Sequence, residues 1–178
     1  MSYTHVILVD EKDNIIGTEE KLKAHQHGLL HRAFSIVIYK KTHLGIETLL
    51  QKRAESKYHC GGQWSNTCCS HPQQNMTMTN CLQKRLSFEM GLTGQSLKFA
   101  DTFKYKEICK GGLTEHELDH VYLGEFKPNT INPNKDEVCD YKWMALDTLL
   151  KDIEAQPQNY TPWLMPVMKI TQNKLQSL

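Results

Sequence analysis

Hydrophobic and polar positions alternate in short runs along this chain, and one stretch near the middle has helical spacing instead. Thr4–Val9 reads as a strand that ends in a polar turn at Asp10–Asn14, and Ile15-Ile16-Gly17-Thr18 as a second, shorter one. Alternation resumes over Arg32–Lys41, where Phe34, Ile36 and Ile38 share one parity and so one face. A polar break at Thr42–Glu47 predicts a hairpin into Thr48–Arg53. Gly61-Gly62 closes a loop, and Gln63–Cys69 is expected to be another strand, stopped by Pro72.

Met78–Met90 is the clearest helix. Leu82, Leu86 and Met90 recur at i, i+4 and i+8 with Cys81 beside them, and Gly91 is placed to end it. Strands are expected near Leu97–Ile108, Glu115–Phe126 and Val138–Met144, then a short helix over Leu146–Ile153. Thr161-Pro162 predicts a final helix, with Thr as N-cap and Pro at the first helical position. No repeat or linker divides the chain, so residues 1–178 are expected to form a single α+β domain.

Length and charge narrow the classes. A chain of 178 residues can bury a substantial core. Lys plus Arg number 21 against 20 Asp plus Glu, a net charge of +1, which argues against nucleic-acid binding. A local cationic pocket for a small anion stays open. The only early apolar run, Val6–Val9, is too short for a signal segment or membrane span, so a soluble, cytoplasmic protein is expected.

The six cysteines are Cys60, Cys68, Cys69, Cys81, Cys109 and Cys139. Adjacent Cys68 and Cys69 suit a disulfide framework poorly, and the absence of a Cys-x-x-Cys pair argues against a zinc ribbon. Most of these thiols are expected to be reduced and buried.

Two short strings carry the candidate chemistry: Cys69-Ser70-His71-Pro72 and Glu115-His116-Glu117. Each sets two capable side chains at i and i+2, which in a strand point to the same face. With His25 and His31, three imidazoles and two carboxylates are available to a divalent metal, with a thiol beside it. The combination points to acid–base chemistry at a metal-supported site.

The string Trp64-Ser65-Asn66-Thr67-Cys68-Cys69-Ser70-His71-Pro72 closely resembles the cysteine motif of type I isopentenyl diphosphate isomerases, members of the Nudix-fold superfamily. Lys21 with His25 and His31, Arg53-Ala54-Glu55-Ser56-Lys57, Glu89-Met90-Gly91, Glu115-His116-Glu117 and Pro162-Trp163 agree with that family in order and spacing. The resemblance runs over residues 4–168 and implies a Nudix-like mixed sheet flanked by helices, with its core at residues 31–168. Nudix hydrolases carry a helix ending Arg-Glu-x-x-Glu-Glu-x-Gly. Here Lys84-Arg85-Leu86-Ser87-Phe88-Glu89-Met90-Gly91 keeps only the last carboxylate, with Arg85 where the first would stand.

The resemblance further implies roles. Cys69 and Glu117 match the proton-transfer residues, Trp163 the aromatic that faces a carbocation, and Tyr105 an active-site hydroxyl. His25, His31, His71, Glu115 and Glu117 match ligands of one divalent metal, whether Mn, Zn or Mg. Lys21, Arg53, Lys57 and Arg85 match diphosphate-binding positions, and Glu89 the ligand of a magnesium ion that travels with the substrate diphosphate. The implied partner is a prenyl diphosphate, with a monomer expected and no nucleic acid or membrane. Cys68 departs from the family, which has a small apolar residue there.

Taken singly, these residues have plainer explanations. Arg85 and Glu89 at i, i+4 would ordinarily form a helix-surface pair worth about 0.3–0.5 kcal/mol. His5, His27, His43, His59, His116 and His120 receive no role, and Trp64 and Trp143 are expected to pack structurally. Two other functions compete: a Nudix-type diphosphate hydrolase, and a metal- or diphosphate-binding module without turnover.

Overall fold

The protein is described by a computed structural model covering residues 4–57, 59–108 and 112–176. Within these residues one mixed sheet of nine strands lies between helices. The strands are β1 (His5–Val9), β2 (Ile15–Glu20), β3 (His31–Thr42), β4 (Gly45–Arg53), β5 (Trp64–Ser65), β6 (Cys68–Ser70), β7 (Lys98–Ile108), β8 (Thr114–Glu125) and β9 (Val138–Ala145). The α-helices are α1 (Lys21–His27), α2 (Met78–Met90), α3 (Leu146–Ala155) and α4 (Leu164–Gln176). Cys109 lies outside the described residues.

Strand β3 is the hub. It runs parallel to β8 along one edge, with His31 opposite Glu117 and Tyr39 opposite Glu125. Its other edge is shared in turn by β1, β6 and β4. Phe34, Ile36 and Ile38 point to one side, where they pack with Leu49, Cys68 and the Cys81, Leu82, Leu86 and Met90 face of α2. Val37 and Tyr39 point to the other, against Leu50, Val121, Leu123 and the apolar faces of α3 and α4. Both faces are therefore covered, which suits a strand of mostly apolar, β-branched residues. Each fully buried Leu, Ile or Phe contributes roughly 1.5–3 kcal/mol.

The segment expected to be one strand from Gln63 to Cys69 is two. β3 and β4 pair directly only near their hairpin, from Tyr39 opposite Thr48 onward to the turn. Beyond it they diverge, and the incoming segment fills the gap: β5 pairs with β4 and β6 with β3. Asn66 and Thr67 bridge the switch with their side chains. Thr67 Oγ1 donates to the Leu49 carbonyl at 2.6 Å and accepts from the Ile38 N–H at 2.8 Å, while Asn66 Nδ2 donates to the Cys68 and Ile36 carbonyls. Side-chain hydrogen bonds thus stand in for a missing ladder.

Helix α2 has the expected bounds. Thr77 caps it by accepting from Asn80 N–H, and Gly91 ends it at φ 69°, where a Cβ would meet the Asn132 carbonyl oxygen at 2.7 Å. The helix α1 is not evident from the sequence, since seven residues are too few to show a period. The last helix begins at Leu164, not at Pro162; the Leu164 N–H closes a turn onto the Thr161 carbonyl, and Trp163 sits inside that turn. Among the described cysteines Cys68 and Cys81 are buried, Cys60 and Cys69 half-buried and Cys139 exposed; all are free thiols. Burial therefore covers fewer of them than expected. No described helix is long and apolar enough to cross a membrane.

Candidate active site

Alternation along β8 buries Glu115, Glu117 and Asp119 on the same face as the core residues Val121 and Leu123. Three carboxylates inside a protein require partners, and the neighbouring strands supply them. Tyr105 on β7 and His31 on β3 flank Glu117 in register, so the three side chains form one row across the sheet. The Tyr105 hydroxyl donates to Glu117 Oε2 at 2.6 Å. His71 Nε2 lies 2.8 Å from Glu117 Oε1, and His31 Nε2 lies 3.5 Å from the same oxygen.

The backbone sets the imidazole tautomers. His31 Nδ1 donates to the Leu29 carbonyl at 2.8 Å and His25 Nδ1 to the Lys21 carbonyl at 2.6 Å. Each Nε2 is thereby left as the nitrogen aimed into the cluster. One ligand atom from each of His25, His31, His71 and Glu117 lies within 4.8 Å of all the others. His31 Nε2 is buried yet has no hydrogen-bond partner among the described residues. An orphaned imidazole nitrogen beside two others and a carboxylate is a donor set that fits a first-row divalent ion.

Glu115, expected as a fifth ligand, stands beside this group. Its Oε2 is 3.2 Å from His25 Nε2, and its Oε1 is 2.8 Å from His59 Nε2.

Cys69 reaches the same cavity from β6, where it pairs with Ser35. Cys68 points through the sheet into the α2 core. Arg53 Nη1 is 3.6 Å from the Cys69 sulfur, and its guanidinium lies 5.5 Å over the ring of Trp163. Trp163 is fixed by its indole N–H, which donates to Ser65 Oγ at 3.1 Å and to Asn66 Oδ1 at 3.2 Å. Its ring stands 6.2 Å from that of Tyr105. The partly open space is about 60 Å³, and Cys69, Tyr105, Glu117, Asp119 and Trp163 line it together with the cations Lys21, Arg53, Lys57 and Arg85. Site residues widely scattered in sequence therefore meet in one cavity.

Electrostatics separates the two proton-transfer candidates. Burial pushes the Cys69 thiol up to about 12, against the opposing pull of Arg53. Burial would also raise Glu117, but the adjoining His31 and His71 imidazoles outweigh it and hold the carboxyl well below the ordinary range. Burial, with Glu117 beside it, raises the Tyr105 hydroxyl well above its usual value. His71 is pushed down to about 3 by burial and by Lys21, so its imidazole is neutral at pH 7. Burial thus favours the protonated form of the thiol, and the surrounding imidazoles favour the ionised form of the carboxylate.

The four cations come from four elements or loops. Lys21 begins α1, Arg53 ends β4, Lys57 lies in the following loop and Arg85 is on α2. Arg85 and Glu89 are not a surface pair: both are buried and hydrogen-bonded. Gln51 Nε2 also donates to Glu89, at 2.9 Å. Glu89 does not line the cavity and reaches it through Arg85.

Three further residues belong to this region without having been marked in the sequence. Asp119 accepts from Ser35 Oγ at 2.7 Å, and burial together with Glu117 lifts its carboxyl to about 8. Its place at i+2 from Glu117 was the available signal. His59 is buried in a loop, close to Glu115 and with its ring 6.2 Å from that of Trp163. Glu137 contacts Lys57 and Arg85. Loops have no periodicity, so nothing local marks His59 or Glu137.

Comparison with known proteins shows the family and the fold. The NUDIX domain family model matches residues 29–164. An isopentenyl-diphosphate Delta-isomerase of Photobacterium profundum is 41% identical over 173 residues, covering 97% of this chain and 96% of that protein. Isopentenyl-diphosphate Delta-isomerase 2 of Aromatoleum aromaticum is 45% identical over 159 residues, covering 89% and 82%. Among solved structures, a Deinococcus radiodurans protein superposes with a TM-score of 0.73 at 15% identity, covering 93% of this chain and 97% of its own. A C. elegans Ap4A hydrolase superposes with a TM-score of 0.60 at 18% identity, covering 83% and 98%. At such identities the structural likeness speaks for the fold.

Proposed function

Because the chain belongs to the isopentenyl-diphosphate Delta-isomerase family and is built on a NUDIX domain, we propose that the cavity between Cys69 and Glu117 is where it moves a carbon–carbon double bond. The enzyme interconverts isopentenyl diphosphate and dimethylallyl diphosphate. An unactivated alkene must gain a proton at one carbon and lose one from another, through a tertiary carbocation. The reaction needs an acid, a base, a cation-stabilising wall and the exclusion of water.

The observation that carries this assignment is the convergence of Cys69 from β6, Glu117 from β8 and Trp163 on one cavity that Lys21, Arg53, Lys57 and Arg85 also line. Burial favours the protonated Cys69 thiol, and the adjoining imidazoles favour the ionised Glu117. In the forward direction the Cys69 thiol protonates the terminal methylene and Glu117 accepts the proton from the allylic carbon. Tyr105, hydrogen-bonded to Glu117 Oε2, keeps that carboxylate oriented. The faces of Trp163 and Tyr105 supply cation–π stabilisation to the intermediate.

His25, His31, His71 and Glu117 would hold the divalent ion, with Glu115 joining from the edge of the group. Bound there, a divalent ion, whether Mn, Zn or Mg, would fix Glu117 in place and modulate its basicity. Lys21, Arg53, Lys57 and Arg85 would hold the diphosphate, and Glu89 the magnesium that accompanies it. Binding energy from this remote group positions the alkene. The whole chain acts as one catalytic domain with its core at residues 31–168, a monomer in the cytoplasm.

The test is turnover in deuterated water. Purified, metal-loaded protein incubated with isopentenyl diphosphate should yield dimethylallyl diphosphate carrying deuterium. Release of monophosphate or orthophosphate with the alkene unmoved would point to hydrolysis instead.

A further inference from the structure

Two of the cations that line the pocket, Lys57 and Arg85, are already partnered by a carboxylate that stands beside it. The Glu137 carboxylate accepts a hydrogen bond from Lys57 Nζ and stands 3.5 Å from Arg85 Nη2. Arg53 is also near enough to help hold it below the usual carboxylate range. Glu137 therefore contacts two of the four cations assigned to the diphosphate.

Its backbone is anchored. The Glu137 carbonyl accepts from Ala54 N–H at 2.9 Å, and its own N–H donates to the Asn134 carbonyl at 3.0 Å. The next residue, Val138, is fully buried and pairs with Arg53 across β4 and β9. The carboxylate is thus presented from a fixed position, and only its side chain is free to turn away.

We propose that Glu137 is a specificity-determining residue, a tethered carboxylate in the place of an anionic ligand between Lys57 and Arg85, which a diphosphate displaces and a single phosphate does not. This rests on the diphosphate reading above. A phosphate that reached only Lys57 and Arg85 would exchange one anion for another and gain little. A diphosphate also reaches Arg53 and Lys21, so it gains contacts that Glu137 never made. Lys21, Arg53, Lys57 and Arg85 stand against Glu115 and Glu117 in the lining and Glu89 and Glu137 beside it, 4 − 4 = 0, with Asp119 raised to about 8 and left out of the sum. The pocket is therefore not so strongly positive that any small anion would fill it.

The test uses the metal-loaded full chain, with inorganic pyrophosphate and orthophosphate as probes in calorimetry. Glu137→Gln removes the charge at nearly constant shape, and Glu137→Asp keeps the charge. Orthophosphate should bind Glu137→Gln about tenfold more tightly than wild type and pyrophosphate about threefold, as expected when a like charge near the anion is removed. The preference for pyrophosphate then narrows. KM for isopentenyl diphosphate should fall while kcat stays within about threefold, and Glu137→Asp should keep the wild-type preference.

Weaker binding of both anions to Glu137→Gln would overturn the proposal and make Glu137 an organiser of the cations. An unchanged preference between the anions would also overturn it. Wild-type protein that binds neither anion would remove the diphosphate reading as well. Failure of wild type to move the double bond, with the anion preference shifting as described, would overturn the isomerase reading alone.

Discussion

Tyr105 and Glu117 face each other across β7 and β8, and the phenol hydroxyl donates to Glu117 Oε2 at 2.6 Å while His71 engages Oε1. Each oxygen of the proposed base therefore has its own partner, and one partner is a neutral hydroxyl within the substrate cavity. Tyr105→Phe removes that partner and little else. A hydrogen bond to a charged group contributes about 1.5–3 kcal/mol, so kcat should fall roughly 10- to 100-fold. Metal content and KM should change little. Steady-state kinetics alongside metal analysis checks this, and an unaltered kcat would remove Tyr105 from the mechanism.

The adjacent thiols should behave oppositely. Cys69→Ala is expected to abolish isomerisation, whereas Cys68→Val should keep most of it, because Cys68 packs against α2 on the far side of the sheet. An epoxide carrying a diphosphate tail should alkylate Cys69, located by peptide mass spectrometry. An adduct on Cys68 would contradict the register that pairs Cys69 with Ser35.

Alkylation also reports the protonation state. With the Cys69 thiol raised to about 12, its thiolate fraction grows about tenfold per pH unit across the neutral and alkaline range. The iodoacetamide rate at Cys69, followed by peptide mapping, should still be climbing at pH 10. A free thiol peptide, with a pKa near 8.5, should already have levelled off. A plateau for Cys69 below pH 9 would mean that Arg53 dominates and that the thiol is not the acid.

Loss of metal should be graded. His71→Ala removes one of the four converging ligand atoms, while Glu115→Gln alters a group that stands beside them. Bound metal, measured by elemental analysis, should fall further in the first variant than in the second, with activity following. Glu117→Gln should lower the rate more than Glu115→Gln, since both ligation and proton transfer are proposed for Glu117. Equal metal content in all three variants would dismiss the cluster.

Thr67→Val should act on stability and not on chemistry. It removes a buried hydroxyl that both donates to the Leu49 carbonyl and accepts from the Ile38 N–H. Leaving those two backbone groups unsatisfied costs about 1–3 kcal/mol each, so chemical denaturation should show a loss of at least about 2 kcal/mol. An unchanged midpoint would show that the wedge between β3 and β4 is not maintained by this side chain.

What the sequence determined by itself is whatever repeats locally. The parity of Phe34, Ile36 and Ile38, the helical spacing of Leu82, Leu86 and Met90, and the shared parity of Glu115 and Glu117 follow from backbone geometry over a few residues, and they are present in the fold. The motif around Cys69 likewise named the family before any coordinate was known. Tertiary structure decided which of those faces meet. That β8 lies parallel to β3 with Glu117 opposite His31, that the segment through Cys69 divides between β4 and β3, and that His59 and Glu137 enter the site from loops all depend on contacts between distant parts of the chain. Such contacts are chosen by the burial of whole faces and the pairing of backbone groups across strands. Those terms belong to the assembled sheet, and no local run of residues encodes them.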